Sequence, residues 1–143
     1  AYLSAEPFVA IAEALEIASA YARLLESVAL RKIDANISVK LTHLGLKFRR
    51  ESALEQVSML CRKAAEGGNF VRLDMEDSSC TDDTLWVYRT LRQERPNVGI
   101  VLQAYLRRSL DDLEQLASFK GNVRICKGIY REPRTIAFHD PAA

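Results

Sequence analysis

Lys40, Asp74 and Arg124 are the side chains in this sequence most suited to chemistry. Two cations and a carboxylate that converge suit a small anionic substrate, because a carboxylate gains charge-assisted hydrogen bonds from lysine and arginine. The same trio also suits a buried ion-pair network that fixes the register of a sheet. Gln103, in GIVLQAYLRR, adds an amide that donates and accepts at once. That pattern matches the pyrimidine edge of a flavin or a nucleobase, and it equally matches a strand-end residue tying down a loop. Lys127-Gly128-Ile129 is a basic-glycine step that can bring backbone N–H groups to a phosphate or a ring. It is far less specific than a GxGxxG or Walker pattern.

Other reactive residue types form no recognisable set. His43 and His139 have no partner at zinc-like spacing, so no metal is expected. His43 suits an ordinary loop, with pocket lining as the alternative. Trp86 and Tyr88 suit core or helix packing better than a cofactor cage, and Lys47, Arg49 and Arg50 suit a solvated loop. No Ser/His/Asp or Cys/His arrangement emerges, and Cys126 reads as a small core residue and not a reactive thiol.

Four helices and four strands must position these groups. The first helix is expected from about Ala5 to Leu30, with Phe8, Ile11, Leu15, Ala18, Ala22 and Leu25 recurring at three- and four-residue steps. The second opens at Ser52 with Glu55 as a capping-box pair, buries Leu54, Val57, Leu60, Cys61 and Ala64, and stops at Gly67-Gly68. The third runs from about Thr81 to Arg92 through Leu85, Tyr88 and Leu91, with Pro96 limiting it. The fourth starts at Ser109, has Asp112 in its acid-favouring first turn, and ends before Gly121. Strands are expected over Asn36–Leu41, Phe70–Asp74, Val98–Gln103 and Val123–Lys127.

This βαβαβαβ rhythm implies a parallel sheet with right-handed crossovers. One face of the strands reads Ser38/Lys40, Arg72/Asp74, Val101/Gln103 and Arg124/Cys126. A doubly wound sheet would want apolar residues there, whereas a (β/α)8 TIM-type barrel places polar groups inside near the C-terminal ends of its strands. The barrel is therefore the expected α/β fold. Such a barrel takes about 250 residues, and 143 residues supply four β/α units, so about half a barrel is expected, as one partial domain over 1–143 without a second domain. The ending REPRTIAFHDPAA reads as a loop cut short.

Composition narrows the function classes. Hydrophobic residues are 48% and charged residues 27%, with Gly and Pro few, which is globular and not disordered. Twenty basic against nineteen acidic residues leave a net charge of +1, without the footprint of a nucleic-acid binder. No apolar run is long enough to span a bilayer, and AYLSAEPFVAIAEALE lacks the basic lead of a secretory signal. Three cysteines, an odd count without ligand spacing, favour reduced thiols in a cytoplasmic compartment.

Taken together, ISVKLTHLGL (37–46), FVRLDMEDS (70–78), GIVLQAYLRR (99–108) and VRICKGIYREP (123–133) resemble the catalytic barrel of proline dehydrogenase, of the short monofunctional bacterial type. The segments occur in the family's order and spacing. The resemblance implies FAD-dependent oxidation of L-proline to Δ1-pyrroline-5-carboxylate, with a quinone or similar acceptor reoxidising the flavin. It also implies a cytoplasmic enzyme, with peripheral membrane contact of the parent enzyme as an accompanying expectation.

Residue by residue, the resemblance gives Lys40 and Tyr130 to the substrate, Lys40 at the proline carboxylate and Tyr130 near its ring. Asp74 matches an active-site aspartate, and Arg124 matches the arginine near the reactive edge of the flavin. Met75, Gln103, Lys127, Gly128 and Ile129 match FAD contacts, alongside Arg124. Cys126 stands where a larger aliphatic residue is commoner in the family. The family's closing helix with paired arginines has no counterpart here, so the chain by itself is expected to be inactive. Two other readings remain at this stage: an aldolase-like barrel with Lys40 as Schiff-base lysine, and a truncated barrel acting as an assembly module.

Overall fold

The computed structural model describes residues 6–139, with side chains from Ala10 onward. Helix α1 (Glu6–Leu30) precedes strand β1 (Ile37–Val39), a 3-10 turn over Leu41–Leu44 and helix α2 (Arg50–Glu66). Strand β2 (Val71–Leu73) runs through a second 3-10 turn, Ser78–Cys80, into helix α3 (Thr81–Arg92). Strand β3 (Val98–Gln103), helix α4 (Ser109–Ala117) and strand β4 (Asn122–Cys126) complete the set.

The strands lie in sequential order β1-β2-β3-β4, and every neighbouring pair is parallel. A doubly wound sheet reverses its order at a switch point. Successive crossovers of one hand instead add each strand beyond the last and stack the helices on one face. The sheet is thus an arc of a parallel β/α barrel carrying four strands. Its helix-side face is apolar in register: Val39, Leu73, Ile100 and Val123 form one row. Against it pack Val57, Leu60, Cys61 and Ala64 of α2, and Leu85, Tyr88 and Leu91 of α3, in one core. Each large side chain buried there contributes about 1.5–3 kcal/mol.

Several local expectations change. Helix α1 buries Ala14, Ala18, Leu25 and Val28, while Ile11 and Leu15 stay half exposed. Small residues face the core because α1 approaches closely: the Ala14 Cβ would lie 3.9 Å from a Cβ on Gly45. Ala5 and the Phe8 side chain lie outside the described residues. The capping box at Ser52 does not form. Helix α2 begins at Arg50 after an uncapped Arg49, and the Ser52 hydroxyl accepts from Arg49 Nε at 3.3 Å, while Glu55 faces Arg49 at 3.7 Å. Within α2, Ala53 is buried and Leu54 only partly so.

The basic run leading into α2 is not simply solvated. Lys47 lies 3.6 Å from Asp77, and the Arg50 guanidinium stacks on Trp86 at 4.3 Å while reaching Asp83 at 3.4 Å. The Arg50 contacts join α2 to α3, so Trp86 is a helix-packing residue as expected. Helix α4 starts at Ser109, but its hydroxyl donates to the Gln103 carbonyl at 2.5 Å and so ties the helix to the end of β3. Asp112 is buried and takes two bonds from Arg108, at 2.8 and 3.0 Å.

Candidate functional site

The pairing register decides which side chains share the concave face. Ser38, Arg72, Gly99 and Asn122 are aligned across all four strands. Residues two further along point the same way. They are Lys40, Asp74, Val101 and Arg124, with Val101 and Arg124 directly paired and the Asp74 N–H donating to the Val39 carbonyl at 3.0 Å. Gln103 and Cys126 form the next level. The charged trio therefore occupies one tier at the C-terminal ends of the strands, where barrels hold their chemistry.

The lower tier is a packed floor. Arg72 is buried, with Nη2 2.8 Å from Asn122 Oδ1 and Nη1 3.5 Å from the Ile100 carbonyl, and its guanidinium lies over the Phe70 ring at 5.0 Å. Gly99 makes room for that ring, since a Cβ there would stand 2.5 Å from Phe70 Cζ. Burial lowers the Arg72 pKa, and the positive charge of Arg124 adds to the effect.

Above the floor, Arg124 Nη2 lies 2.9 Å from Asp74 Oδ1, with the two side chains 51% and 25% exposed. Lys40 is exposed at the β1 end of the tier. Tyr21 of α1 stands beside it: burial raises the Tyr21 pKa, and a hydrogen bond with the Lys40 backbone opposes that rise. Gln103 is 2% exposed, and its Nε2 donates to the Glu76 carbonyl at 2.7 Å and to the Met75 carbonyl at 3.4 Å. This leaves Gln103 Oε1 buried without a donor. An unpaired buried acceptor is costly, and a ring imide N–H is a group that satisfies it. Met75, whose carbonyl Gln103 reaches, is itself buried.

The segment after β4 folds back over this level. The Tyr105 hydroxyl donates to the Tyr130 carbonyl at 3.0 Å. Tyr130 is half-buried, and its pKa is raised first by burial and then by the negative charges of Glu76, Asp77 and Asp74. Lys127 is exposed and Ile129 is 88% exposed. Gly128 adopts φ +106°, and a Cβ there would meet the Tyr105 ring at 2.2 Å. The ring that the glycine admits is therefore the protein's own. Cys126 is exposed and not a core residue, because β4 forms the edge of the described sheet. His43 is exposed within the 3-10 turn after β1, and among the described residues no group of His, Cys, Asp or Glu could hold a metal ion.

Residues 3–133 match the family model for proline dehydrogenase. The chain belongs to the proline dehydrogenase family. It is 35% identical over 128 residues to proline dehydrogenase 1 of Bacillus subtilis subsp. natto, covering 90% of this chain and 42% of that protein. It is 38% identical over 136 residues to the proline dehydrogenase of Deinococcus radiodurans, covering 92% and 44%. The fold resembles that of proline utilization A (PutA) from Bdellovibrio bacteriovorus inactivated by N-propargylglycine, with TM-score 0.71 and 26% identity over 82% of this chain and 16% of that one. This proline dehydrogenase family member thus spans less than half the length of the curated relatives it matches. The comparisons bear out the resemblance carried by the four strand segments, and the barrel fold with it.

Residue types alone did not single out the groups that hold this family member's site together. Glu76 is buried and accepts from the Thr42 N–H at 3.1 Å and its hydroxyl at 2.6 Å. Glu132 is buried and accepts from the Ser78 N–H and hydroxyl, both at 2.7 Å. The signal available was spacing: Thr42, Glu76 and Glu132 each follow Lys40, Asp74 and Tyr130 by two residues.

Proposed function

We propose that this chain contributes the substrate-carboxylate side and part of the FAD site of an enzyme oxidising L-proline to Δ1-pyrroline-5-carboxylate. The observation that carries the reading is the single tier of Lys40, Asp74 and Arg124 at the strand ends, with Arg124 held on Asp74 at 2.9 Å. Lys40 binds the proline carboxylate through a charge-assisted bond and so orients the ring. Tyr130, half-buried above the tier, packs against that ring and limits water around it. In forming the product, the ring carbon beside the nitrogen loses a hydride and the nitrogen loses a proton.

FAD, when bound, supplies the two-electron acceptor for that hydride. Gln103 Oε1 would meet its imide N–H, and Met75, Lys127, Gly128 and Ile129 would line it. Arg124, oriented by Asp74, would offer a fixed positive charge to the negative charge of a reduced flavin ring. N-propargylglycine, which inactivates the PutA relative, is a secondary amine bearing an α-carboxylate, as proline is. A quinone or similar acceptor would reoxidise the flavin. We take the enzyme to work in the cytoplasm, with peripheral contact to a membrane as the route to such an acceptor; among the described residues no helix is long and apolar enough to cross one.

The exposed position of Lys40 does not favour the Schiff-base reading, which wants a desolvated amine. Dye reduction by the intact protein separates these cases. L-proline should drive it, and neither glycine nor L-alanine should. Borohydride trapping of a carbonyl compound on Lys40, without proline-dependent dye reduction, would replace this proposal with the aldolase one.

A further inference from the structure

We propose that Glu132 is a positioning residue whose buried carboxylate clasps the loop after β2 and so holds Tyr130 over the tier beside Asp74. Its functional consequence rests on the proline-oxidising reading above. Glu132 is 9% exposed, between Arg131 and Pro133, both exposed. Its two oxygens are both engaged, one by the Ser78 N–H and one by the Ser78 hydroxyl, each at 2.7 Å. Ser78 follows Asp74 by four residues and Glu132 follows Tyr130 by two, so the clasp joins the two loops that carry those residues.

The tether does not stand alone. The Tyr130 carbonyl is held by the Tyr105 hydroxyl at 3.0 Å, and the Glu132 carbonyl pairs with His139 Nε2 at 2.7 Å. Residues 130–132 are therefore fixed at three points, and a Tyr130 side chain carried on them has little freedom to swing away. The same geometry recurs between Glu76 and Thr42, where one carboxylate again takes both the N–H and the hydroxyl of a single residue on the preceding loop. Two such clasps stitch the loops after β1, β2 and β4 together, and each ends two residues from a candidate site residue. Charge-assisted bonds of this kind are stronger and more directional than neutral ones. A carboxylate taken out of water and used only between surface loops serves geometry more than the core.

The test is steady-state kinetics on the intact, flavin-loaded protein for Glu132→Ala, Ser78→Ala, the double variant and Glu132→Gln. Ser78→Ala, which loses the hydroxyl bond and keeps the backbone N–H one, should raise the KM for L-proline about tenfold, the scale of one lost bond to a charged group, and Glu132→Ala, which loses both, should raise it further, with kcat and flavin content nearly unchanged. The double variant should be no worse than Glu132→Ala alone, because removing the carboxylate already removes both bonds. Glu132→Gln should restore near-normal KM, since its amide can accept from the N–H and donate to the hydroxyl oxygen. Loss of thermal stability with unchanged KM, or additive effects, would overturn the proposal. Amide hydrogen exchange reads the clasp independently of turnover. Glu132→Ala should speed exchange at the Ser78 amide, which donates to the Glu132 carboxylate, while α3 stays protected; unchanged exchange there would refute the clasp. A wild-type protein inert to proline would refute the functional reading instead, leaving the exchange result to decide the clasp.

Discussion

Arg124 on β4 reaches across β3 to set its Nη2 2.9 Å from Asp74 Oδ1 at the end of β2. Neighbouring strands are about 4.8 Å apart, so the side chain spans two strand spacings. Val101, the residue paired with Arg124 in β3, is small enough to be crossed. Arg124 is exposed and Asp74 half-buried, and such a partly solvated pair contributes only about 0–1 kcal/mol to stability. Its consequence is orientation: the guanidinium is aimed along the tier and not into solvent.

Asp74→Asn should therefore move the melting temperature little and flavin reduction a great deal. An amide keeps the shape but loses the charge that holds Arg124. A drop of about a hundredfold in the rate of flavin reduction by proline is expected, the scale set by removing one preorganised electrostatic contact. Stopped-flow measurements beside a thermal melt would check this, and a large melting shift with normal reduction would reverse the assignment.

Lys40 and Arg124 share a tier, but they are expected to fail differently. Lys40→Met should weaken proline binding by about 1.5–3 kcal/mol, the value of a hydrogen bond to a charged group, while flavin remains bound. Arg124→Met should slow flavin reduction more than it weakens binding. Proline titration of both variants, followed by flavin absorbance, separates the two effects. Unchanged proline kinetics in Lys40→Met would remove that residue from the carboxylate site.

The tier itself was legible in the sequence because strand periodicity is two and the charges fall at alternate positions: Lys40, Asp74 and Arg124 share a face as read. Helix α3 was legible to the residue, since the Thr81 start, Leu85, Tyr88, Leu91 and the break before Pro96 all agree. Helix α2 was not, because Arg50 prefers Trp86 and Asp83 on the next helix to a solvated loop, and the helix starts early to reach them. The Glu132–Ser78 clasp spans 54 residues, a pairing that local pattern cannot signal. Exposure of Cys126 depends on whether a strand follows β4, which composition does not encode.

The three thiols should separate cleanly by reactivity. Burial pushes Cys61 up from its ordinary value of 9.0 to about 12, and burial also raises Cys80, while Cys126 is exposed. Iodoacetamide at pH 8 should label Cys126 first and reach the others only on unfolding. The same shift has a stability sign. Between pH 9 and about 12 the unfolded chain loses the Cys61 proton that the native state keeps, so stability contributed by this group is full below that window and falls across it. Cys61→Ala should flatten the alkaline side of a stability–pH curve, and an unaltered curve would assign the alkaline loss elsewhere.

Gly128→Ala should be disproportionately harmful for so small a change. The position has φ +106° and the new methyl would overlap the Tyr105 ring. Backbone strain there costs about 1–3 kcal/mol before the clash is relieved. Adding Tyr105→Ala should recover part of the loss by removing the ring. Urea denaturation of the single and double variants measures it, and full additivity would show that the ring contact is not the cause.

The central claim is that this tier serves proline oxidation on a flavin, and anaerobic absorbance spectroscopy of the intact protein tests it most directly. The purified protein should carry FAD, show its visible bands, and bleach on addition of L-proline as the flavin is reduced. A correctly folded protein that neither contains FAD nor takes it up, or whose flavin bands persist under excess L-proline, would contradict the account.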